Sequence, residues 1–206
     1  MTGIILVGGR SSRMGANKAF LRIPLSTSGG GGKTIIEMMA DKMRVAFKEI
    51  IIVTNSTESA EEYQGLDARV VRDILPDKNS LGGLYSGLVN ANSKYSFVVA
   101  CDMPFINMRL IEYMKNNCAG FDAIIPRLRT GYETLHSIYS KSCLGPIERQ
   151  LAQDNLKIRD LFPQIKTNEI GEDTIRRFDP ELLSFFNINK ADDYQQAVNI
   201  TPSLCS

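Results

Sequence analysis

The feature that most constrains this chain is a repeated alternation of short β-branched runs with longer segments of helical periodicity. The strand-sized runs are Thr2–Val7, Ile50–Thr54, Ala68–Arg72, Phe97–Cys101 and Ala123–Pro126. The first four lack a regular apolar/polar alternation, which is typical of strands buried on both faces. The helical segments are Thr34–Phe47, Leu81–Asn92, Met108–Asn117 and Ser142–Gln153. This order predicts a three-layer α/β/α, Rossmann-like fold with a mostly parallel sheet.

Length and composition exclude several classes of protein. With 206 residues, 43% of them hydrophobic, the chain suits one domain over residues 1–200, with a tail at 201–206 that we expect to fray. A net charge of +1 gives no footprint for nucleic acid or for an acidic membrane. Four cysteines without CxxC spacing and one histidine argue against a disulfide framework or a structural zinc site. No apolar run has the length of a membrane span or the flanks of a signal peptide, so we expect a cytoplasmic protein.

The predicted sheet also indicates where a ligand binds. In open parallel sheets, ligands bind beyond the carboxyl ends of the strands, at the point where the strand order reverses. The residues that directly follow the predicted strands are Gly8-Gly9, Asn55, Asp73 and Asp102. These positions are therefore the first candidates for a binding site.

The first motif runs from Leu6-Val7-Gly8-Gly9 through Arg13 to Lys18. Glycines after a strand let the backbone approach a ligand closely, and free N–H groups in such a turn form a cradle for anions. Arg13 and Lys18 add positive charge suited to a triphosphate. The alternative is an ordinary turn with solvated basic residues, which the full spacing directly after a strand disfavours.

The second motif is the apolar run that ends at Cys101 and is followed by Asp102. Proteins commonly hold Mg²⁺ with one or two carboxylates together with substrate phosphates, so Asp102 is the candidate metal ligand. The alternative is that Asp102 caps a helix that begins near Pro104. Cys101 is interpreted as a buried strand residue rather than a nucleophile.

The third motif places Asp73 at a strand end, followed by a Gly82-Gly83 turn that feeds a helix. The amino end of that helix is suited to face an anion or a nucleobase. Gly87, inside the helix, costs about 1 kcal/mol relative to alanine and indicates close approach of the backbone to a ligand or to the sheet. Packing against the sheet explains Gly87 equally well.

A second phosphate-binding pattern is present in part. Gly32-Lys33-Thr34 ends like a P-loop, but that motif requires glycine at position 27, where this chain has Thr27. The loop also lacks a good preceding strand. We therefore interpret Ser26–Gly32 as a surface loop; a mobile flap over the triphosphate is the alternative.

Taken together, these motifs resemble those of the MobA-like NTP transferase family. The resemblance spans most of the chain. It rests on Leu6-Val7-Gly8-Gly9 with Ser12-Arg13-Met14-Gly15 and Lys18, on Cys101-Asp102-Met103-Pro104-Phe105, on Asp73 with the glycines after it, on Glu133–Tyr139 and on Asn187-Ile188-Asn189-Lys190. Gly8-Gly9 and Cys101 favour its guanylyl branch.

The resemblance implies an α/β nucleotidyltransferase that moves GMP from GTP to the terminal phosphate of molybdopterin or Mo-molybdopterin and releases pyrophosphate. It implies that GTP contacts Leu6, Val7, Gly8, Gly9, Lys18, Asn55, Asp73 and Asp102. Arg13, Lys18 and Asp102 are the expected catalytic residues, with Mg²⁺ on Asp102 as the cofactor. Gly82, Gly87, Asn187 and Asn189 are expected to bind the acceptor, with His136 as a further candidate near that pocket. Molybdoenzymes or other cofactor-biosynthesis proteins are the implied partners.

Two other functions remain open from the sequence. One is a nucleotidyltransferase of the cytidylyl branch or with a sugar phosphate as acceptor. The other is a nucleotide-binding adaptor without catalytic activity, against which the combination of Arg13, Lys18, Asp73 and Asp102 argues.

Overall fold

The structure, a computed structural model, describes residues 1–7, 18–24, 32–55 and 62–204, and for 202–204 it describes the backbone alone. Its strands are β1 Thr2–Val7, β2 Arg22–Ile23, β3 Lys33–Thr34, β4 Glu49–Thr54, β5 Arg69–Arg72, β6 Tyr95–Ala100, β7 Ala123–Leu128, β8 Gly131–Tyr132, β9 His136–Ser140 and β10 Thr167–Gly171. Its α-helices are α1 Ile35–Arg44, α2 Asn79–Asn90, α3 Met108–Asn116, α4 Leu144–Ala152, α5 Glu172–Ile175 and α6 Ala191–Leu204.

One mixed sheet organises the described part of the chain. Its strand order is β10-β7-β9-β6-β1-β4-β5, with β8 paired to β7. All neighbours are parallel except at β9, which is antiparallel to both β6 and β7, and at β8. The central strand β1 pairs in parallel on both edges, so that Ile4 lies between Ile51 of β4 and Val98 of β6. The predicted mostly parallel sheet is confirmed.

Alternate residues of the central strands feed two separate hydrophobic cores. Ile5 and Val7 face one core, with α1 and α3, whereas Ile4 and Leu6 face the other, with α2 and α4. Every residue of β1 is buried, as expected for a strand covered by helices on both sides. The arrangement is the predicted three-layer α/β/α fold. Among the described residues, no helix combines the length and the apolar character needed to cross a bilayer.

Some predicted elements differ from the observed ones. The run that forms β5 lies at the edge of the sheet, where Arg69 and Arg72 are exposed, so it is not buried on both faces. α6 continues to Leu204, past the expected domain end at residue 200, and fraying of the tail at 201–206 stays a prediction. Thr201 is buried there, and its hydroxyl donates to the Ala197 carbonyl at 2.8 Å.

The amino end of α2 also differs from the prediction. The helix begins at Asn79, after a 3₁₀ turn over Pro76–Lys78, so Gly82 and Gly83 lie inside its first turns rather than in a loop before it. A Cβ on Gly82 would overlap the Leu75 carbonyl oxygen. The glycine is thus explained by the close return of the 3₁₀ turn onto the helix.

Gly87 gives a direct test of how tightly α2 packs on the sheet. An alanine Cβ at this position would lie 2.8 Å from Cγ2 of the fully buried Ile4. We expect Gly87→Ala to lower the free energy of unfolding by about 1–3 kcal/mol despite the better helix propensity of alanine, because a packed core resists added volume. Urea denaturation measures the change.

Gly171 supplies the control, since a Cβ there meets nothing within 4 Å. Gly171→Ala should change the unfolding free energy by no more than about 0.5 kcal/mol. Equal stability of the two variants would contradict the packing explanation of Gly87.

Candidate functional site

A cavity of about 430 Å³ opens at the carboxyl ends of the central strands. Its walls come from β1, from the ends of β4 and β6, and from the start of α2; they include Leu6, Val7, Val53, Asn55, Asp73, Asn79, Ser80, Gly83, Ala100 and Leu135. Its volume lies within the usual range of small-ligand pockets. Four of the residues predicted to bind nucleotide, Leu6, Val7, Asn55 and Asp73, therefore line one cavity.

The cavity lies where the strand order reverses. From β1 the chain passes first to β4 on one side and later to β6 on the other. At this point the Cys101 N–H donates to the Leu6 carbonyl at 3.0 Å, and the Ala100 N–H donates to the Leu135 carbonyl at 3.1 Å. The backbone at the end of β6 is thus held on both sides, by β1 and by the turn that precedes β9.

Asp73 is a buried carboxylate held by its own neighbourhood. It is 3% exposed, and its Oδ1 accepts hydrogen bonds from the Ser86 hydroxyl at 2.6 Å and from the Leu75 N–H at 2.9 Å. Its own N–H donates to the Thr54 carbonyl at 2.7 Å, which anchors the end of β5 to β4. Asp73 directly follows β5, as the sequence predicted, and its role in binding stays a prediction.

Asp102 has a different environment. It lies in a turn after β6, and its Oδ1 is buried with no hydrogen-bond partner within the described residues. Burial raises the pKa of this carboxyl, and the nearby charge of Lys18 partly offsets that effect. Asp102 does not cap a helix, because α3 begins only at Met108 and its cap is Asn107, whose side chain accepts from the Arg109 and Leu110 N–H groups.

Lys18 lies near the Asp102 carboxyl, beside the turn that precedes α6. Its Nζ donates to Oδ1 of Asn189 at 3.3 Å, and the Ile188 N–H donates to the Asp102 carbonyl at 2.9 Å. Asp193 holds the same turn, since its carboxylate accepts from the N–H groups of Asn189 at 2.8 Å and Lys190 at 3.0 Å. Three residues predicted from separate motifs, Lys18, Asp102 and Asn189, therefore meet in space.

Other predicted site residues have separate positions. Asn187, in the same turn, donates from its side-chain amide to the Phe185 carbonyl at 2.9 Å. Gly82 and Gly87 do not line the cavity, and their close contacts are to the Leu75 carbonyl and to Ile4 respectively. These contacts favour the packing explanation for both glycines. Gly8, Gly9 and Arg13 lie outside the described residues, as do residues 26–31 of the glycine-rich loop.

His136 and the partial P-loop are engaged in packing and in helix capping. His136 is fully buried between the rings of Phe97 and Phe185, and burial lowers its pKa to about 3. Lys33 pairs with Asp41 at 2.6 Å, and Thr34 caps α1 in a capping box with Glu37. The side chains of Lys33 and Thr34 are thus engaged with α1.

The sequence motifs predicted that the amino end of α2 faces a ligand, but they did not single out Asn79, Ser80 or Leu135, which line the cavity. They also missed Ser86, the hydroxyl that holds Asp73. A signal for Ser86 does exist, because it is a polar residue at a helical position flanked by the buried Leu84 and Leu88. Leu135 precedes β9, a five-residue strand whose composition, His-Ser-Ile-Tyr-Ser, gives little hydrophobic pattern.

Comparison with known proteins addresses the family directly. The model of the MobA-like NTP transferase domain matches residues 3–168. The chain belongs to this family. It is 36% identical to the "Probable molybdenum cofactor guanylyltransferase" of Natranaerobius thermophilus over 96% of the chain and 94% of that relative. A protein of the same name from Peptoclostridium acidaminophilum is 37% identical over 97% and 89% of the two chains.

A solved structure agrees with the family assignment. Molybdopterin-guanine dinucleotide biosynthesis protein A from Archaeoglobus fulgidus superposes with a TM-score of 0.83 at 29% identity, covering 98% of this chain and all of that one. The MobA-like chain is thus a nucleotidyltransferase, as its motifs predicted. The family match ends at residue 168, so Asn187 and Asn189 lie beyond it.

In nucleotidyltransferases a divalent metal commonly assists the reaction, and the surroundings of Asp102 fit one. An ionised carboxylate oxygen that is buried without a partner is costly, and a bound cation would supply the missing interaction. Within the described ranges, no group of three His, Cys, Asp or Glu side chains is arranged to hold a metal. A cation at Asp102 would therefore take its other ligands from phosphate oxygens and water.

The environment of Asp102 predicts that its charge destabilises the ligand-free protein. A carboxyl whose pKa is raised on folding is harder to ionise in the folded state, so stability is lost as the pH rises through that pKa. We expect Asp102→Asn to raise the free energy of unfolding at pH 7 by up to about 1 kcal/mol, measured by denaturation in a chelating buffer.

Asp122 provides a control of opposite sign. Hydrogen bonds from the Ser142 hydroxyl and the Lys166 N–H lower the pKa of this carboxyl, so its contribution to stability is present at neutral pH and lost on acidification. Asp122→Asn should lower the unfolding free energy by about 1 kcal/mol. If Asp102→Asn were destabilising to the same extent, the burial argument would be wrong.

Proposed function

We propose that this chain is a molybdenum cofactor guanylyltransferase, which transfers GMP from GTP to molybdopterin or Mo-molybdopterin. The observation that carries the proposal is the meeting of Lys18, Asp102 and Asn189 next to a cavity lined by Asp73. The names of two relatives more than 35% identical over nearly the whole chain support the choice of nucleotide and acceptor.

In this proposal the cavity binds the nucleoside, and the neighbouring cluster of Lys18, Asp102 and Asn189 binds the phosphates. Asp73 accepts hydrogen bonds from the guanine base, and Asn55, which is exposed at the end of β4, contacts the base or the ribose. Leu6 and Val7 form the floor beneath the nucleoside. Gly8 and Gly9 follow at the end of β1, where backbone N–H groups suit a phosphate.

The reaction joins two anions. An oxygen of the acceptor's terminal phosphate attacks the α-phosphorus of GTP, the bond to the β-phosphate oxygen breaks, and pyrophosphate leaves. A phosphate nucleophile is already ionised near neutral pH, so no protein nucleophile or strong general base is needed. The protein supplies charge neutralisation and alignment instead.

Specific side chains carry that work. Lys18 neutralises phosphate charge, and Asn189 orients its ammonium group through the 3.3 Å hydrogen bond. Arg13 is proposed to add a second cation. We propose that Asp102 holds Mg²⁺, which when bound would supply positive charge to the phosphates of GTP. Asn187, with Asn189, is proposed to face the acceptor.

The proposal predicts a specific requirement for GTP. Purified protein with Mg²⁺ and molybdopterin should release pyrophosphate with GTP, and much less with CTP, ATP or UTP. Preference for CTP would assign the cytidylyl branch, and turnover with a sugar phosphate in place of molybdopterin would assign another acceptor. Tight GTP binding without turnover would favour the adaptor function. Each of these results would contradict the proposal.

Substitutions at the charged cluster should have graded effects. We expect Asp102→Ala and Lys18→Met each to lower kcat by at least about 100-fold, as for loss of a group that stabilises transition-state charge. Asn189→Ala should lower kcat only by about tenfold, because the cation stays while its orienting hydrogen bond is lost. Steady-state pyrophosphate release measures all three variants.

Asp122→Asn is the control, since Asp122 precedes β7 at the opposite edge of the sheet. It should keep the wild-type kcat at temperatures where it is folded. Full activity of Asp102→Ala would remove Asp102 from the catalytic role.

A further inference from the structure

Ser86 is a fully buried polar residue on the core-facing side of α2, and its hydroxyl has a fixed direction. Its Oγ accepts a hydrogen bond from the Ile74 N–H at 2.8 Å and lies 2.6 Å from Oδ1 of Asp73. A serine hydroxyl has one proton. Since a carboxylate oxygen only accepts, that proton points at Asp73.

The result is an asymmetric carboxylate. Oδ1 of Asp73 receives the Ser86 hydroxyl and the Leu75 N–H. Both hydrogen bonds that the carboxylate accepts from the described residues go to this oxygen. The other oxygen, Oδ2, faces Gly83, where even an added Cβ would remain 3.8 Å away. Both Asp73 and Gly83 line the cavity, so Oδ2 has space for a ligand donor.

We propose that Ser86 is a positioning residue that sets the base preference of the enzyme by locking the rotamer of Asp73. The inference rests on the proposed function, in which Asp73 accepts from the base. Guanine presents an imino N–H and an amino group side by side, and the open Oδ2 of a carboxylate held in one orientation can accept from both through its two lone pairs. A site built around such hydrogen bonds discriminates strongly against an analogue that lacks one of the donors.

Inosine triphosphate is the probe that tests this idea, because it differs from GTP only by the missing exocyclic amino group. Dissociation constants for GTP and ITP are measured by calorimetry on the full chain, for the wild type and for Ser86→Ala. We expect Ser86→Ala to reduce the preference for GTP over ITP by about tenfold, which corresponds to one hydrogen bond to a charged group.

Steady-state kinetics gives a second readout that a purely structural role would not move selectively. Ser86 does not touch the reacting phosphates, so Ser86→Ala should raise the KM for GTP while kcat stays within about twofold of wild type. Ser86→Cys keeps the size of the side chain with a weaker donor, and its preference for GTP over ITP should lie between those of serine and alanine.

Ser140→Ala is the matched control. Ser140 is also a buried serine whose Oγ accepts a backbone N–H. It pairs with Tyr95, at the amino end of β6 and therefore at the end of the strand away from the cavity. It should leave the preference for GTP over ITP unchanged. The proposal is overturned if Ser86→Ala, shown to be folded by its unfolding transition, keeps the wild-type preference. It is also overturned if the variant weakens both nucleotides equally.

The two levels of proposal fail in different experiments. A wild-type protein that binds GTP more tightly than ITP but transfers no nucleotide would refute the proposed function. The role of Ser86 would then be decided by the dissociation constants of Ser86→Ala for GTP and ITP. A wild-type protein that transfers GMP but does not distinguish GTP from ITP would refute the role of Ser86 alone.

Discussion

The parallel pairing of β1 on both of its edges is the interaction on which the rest of the structure depends. It places Leu6 between β4 and β6 and creates the reversal of strand order beside the cavity. Together with the parallel pairing of β4 and β5, it brings the carboxyl ends of four strands to one edge of the sheet. Asn55, Asp73 and Asp102 follow three of those strands, so their proximity is a consequence of topology rather than of local sequence.

The two aspartates of the site are prepared in opposite ways. Hydrogen bonds from Ser86 and Leu75 hold Asp73 before any ligand arrives, which would reduce the reorganisation needed for the base recognition proposed above. Oδ1 of Asp102 is buried without a partner among the described residues, so the folded protein bears a cost that a cation and phosphates can relieve. In the proposed function, recognition therefore rests on Asp73, whose carboxylate is already hydrogen-bonded, and chemistry rests on Asp102, whose buried Oδ1 is not.

Sequence patterns predicted the fold better than the details of the site. The apolar run of β1 matched the observed strand at both ends, because a strand buried on both faces has an unmistakable composition. The polar strand β9 has no such signal, and it was found only through resemblance. The hydrogen bond between Lys18 and Asn189 joins residues 171 positions apart. No local periodicity encodes that contact, and only tertiary packing produces it.

The contact between Lys18 and Asn189 has a consequence for the order in which a newly synthesised molecule completes its candidate site. The described residues that line the cavity all precede His136, so they leave the ribosome before the turn that contains Asn189. Tyr194 of α6 then donates to the Arg22 carbonyl at 2.6 Å and ties that late segment to the start of the chain. During synthesis from the amino terminus, the growing polypeptide therefore acquires the residues of the cavity first and completes the cluster of Lys18, Asp102 and Asn189 last.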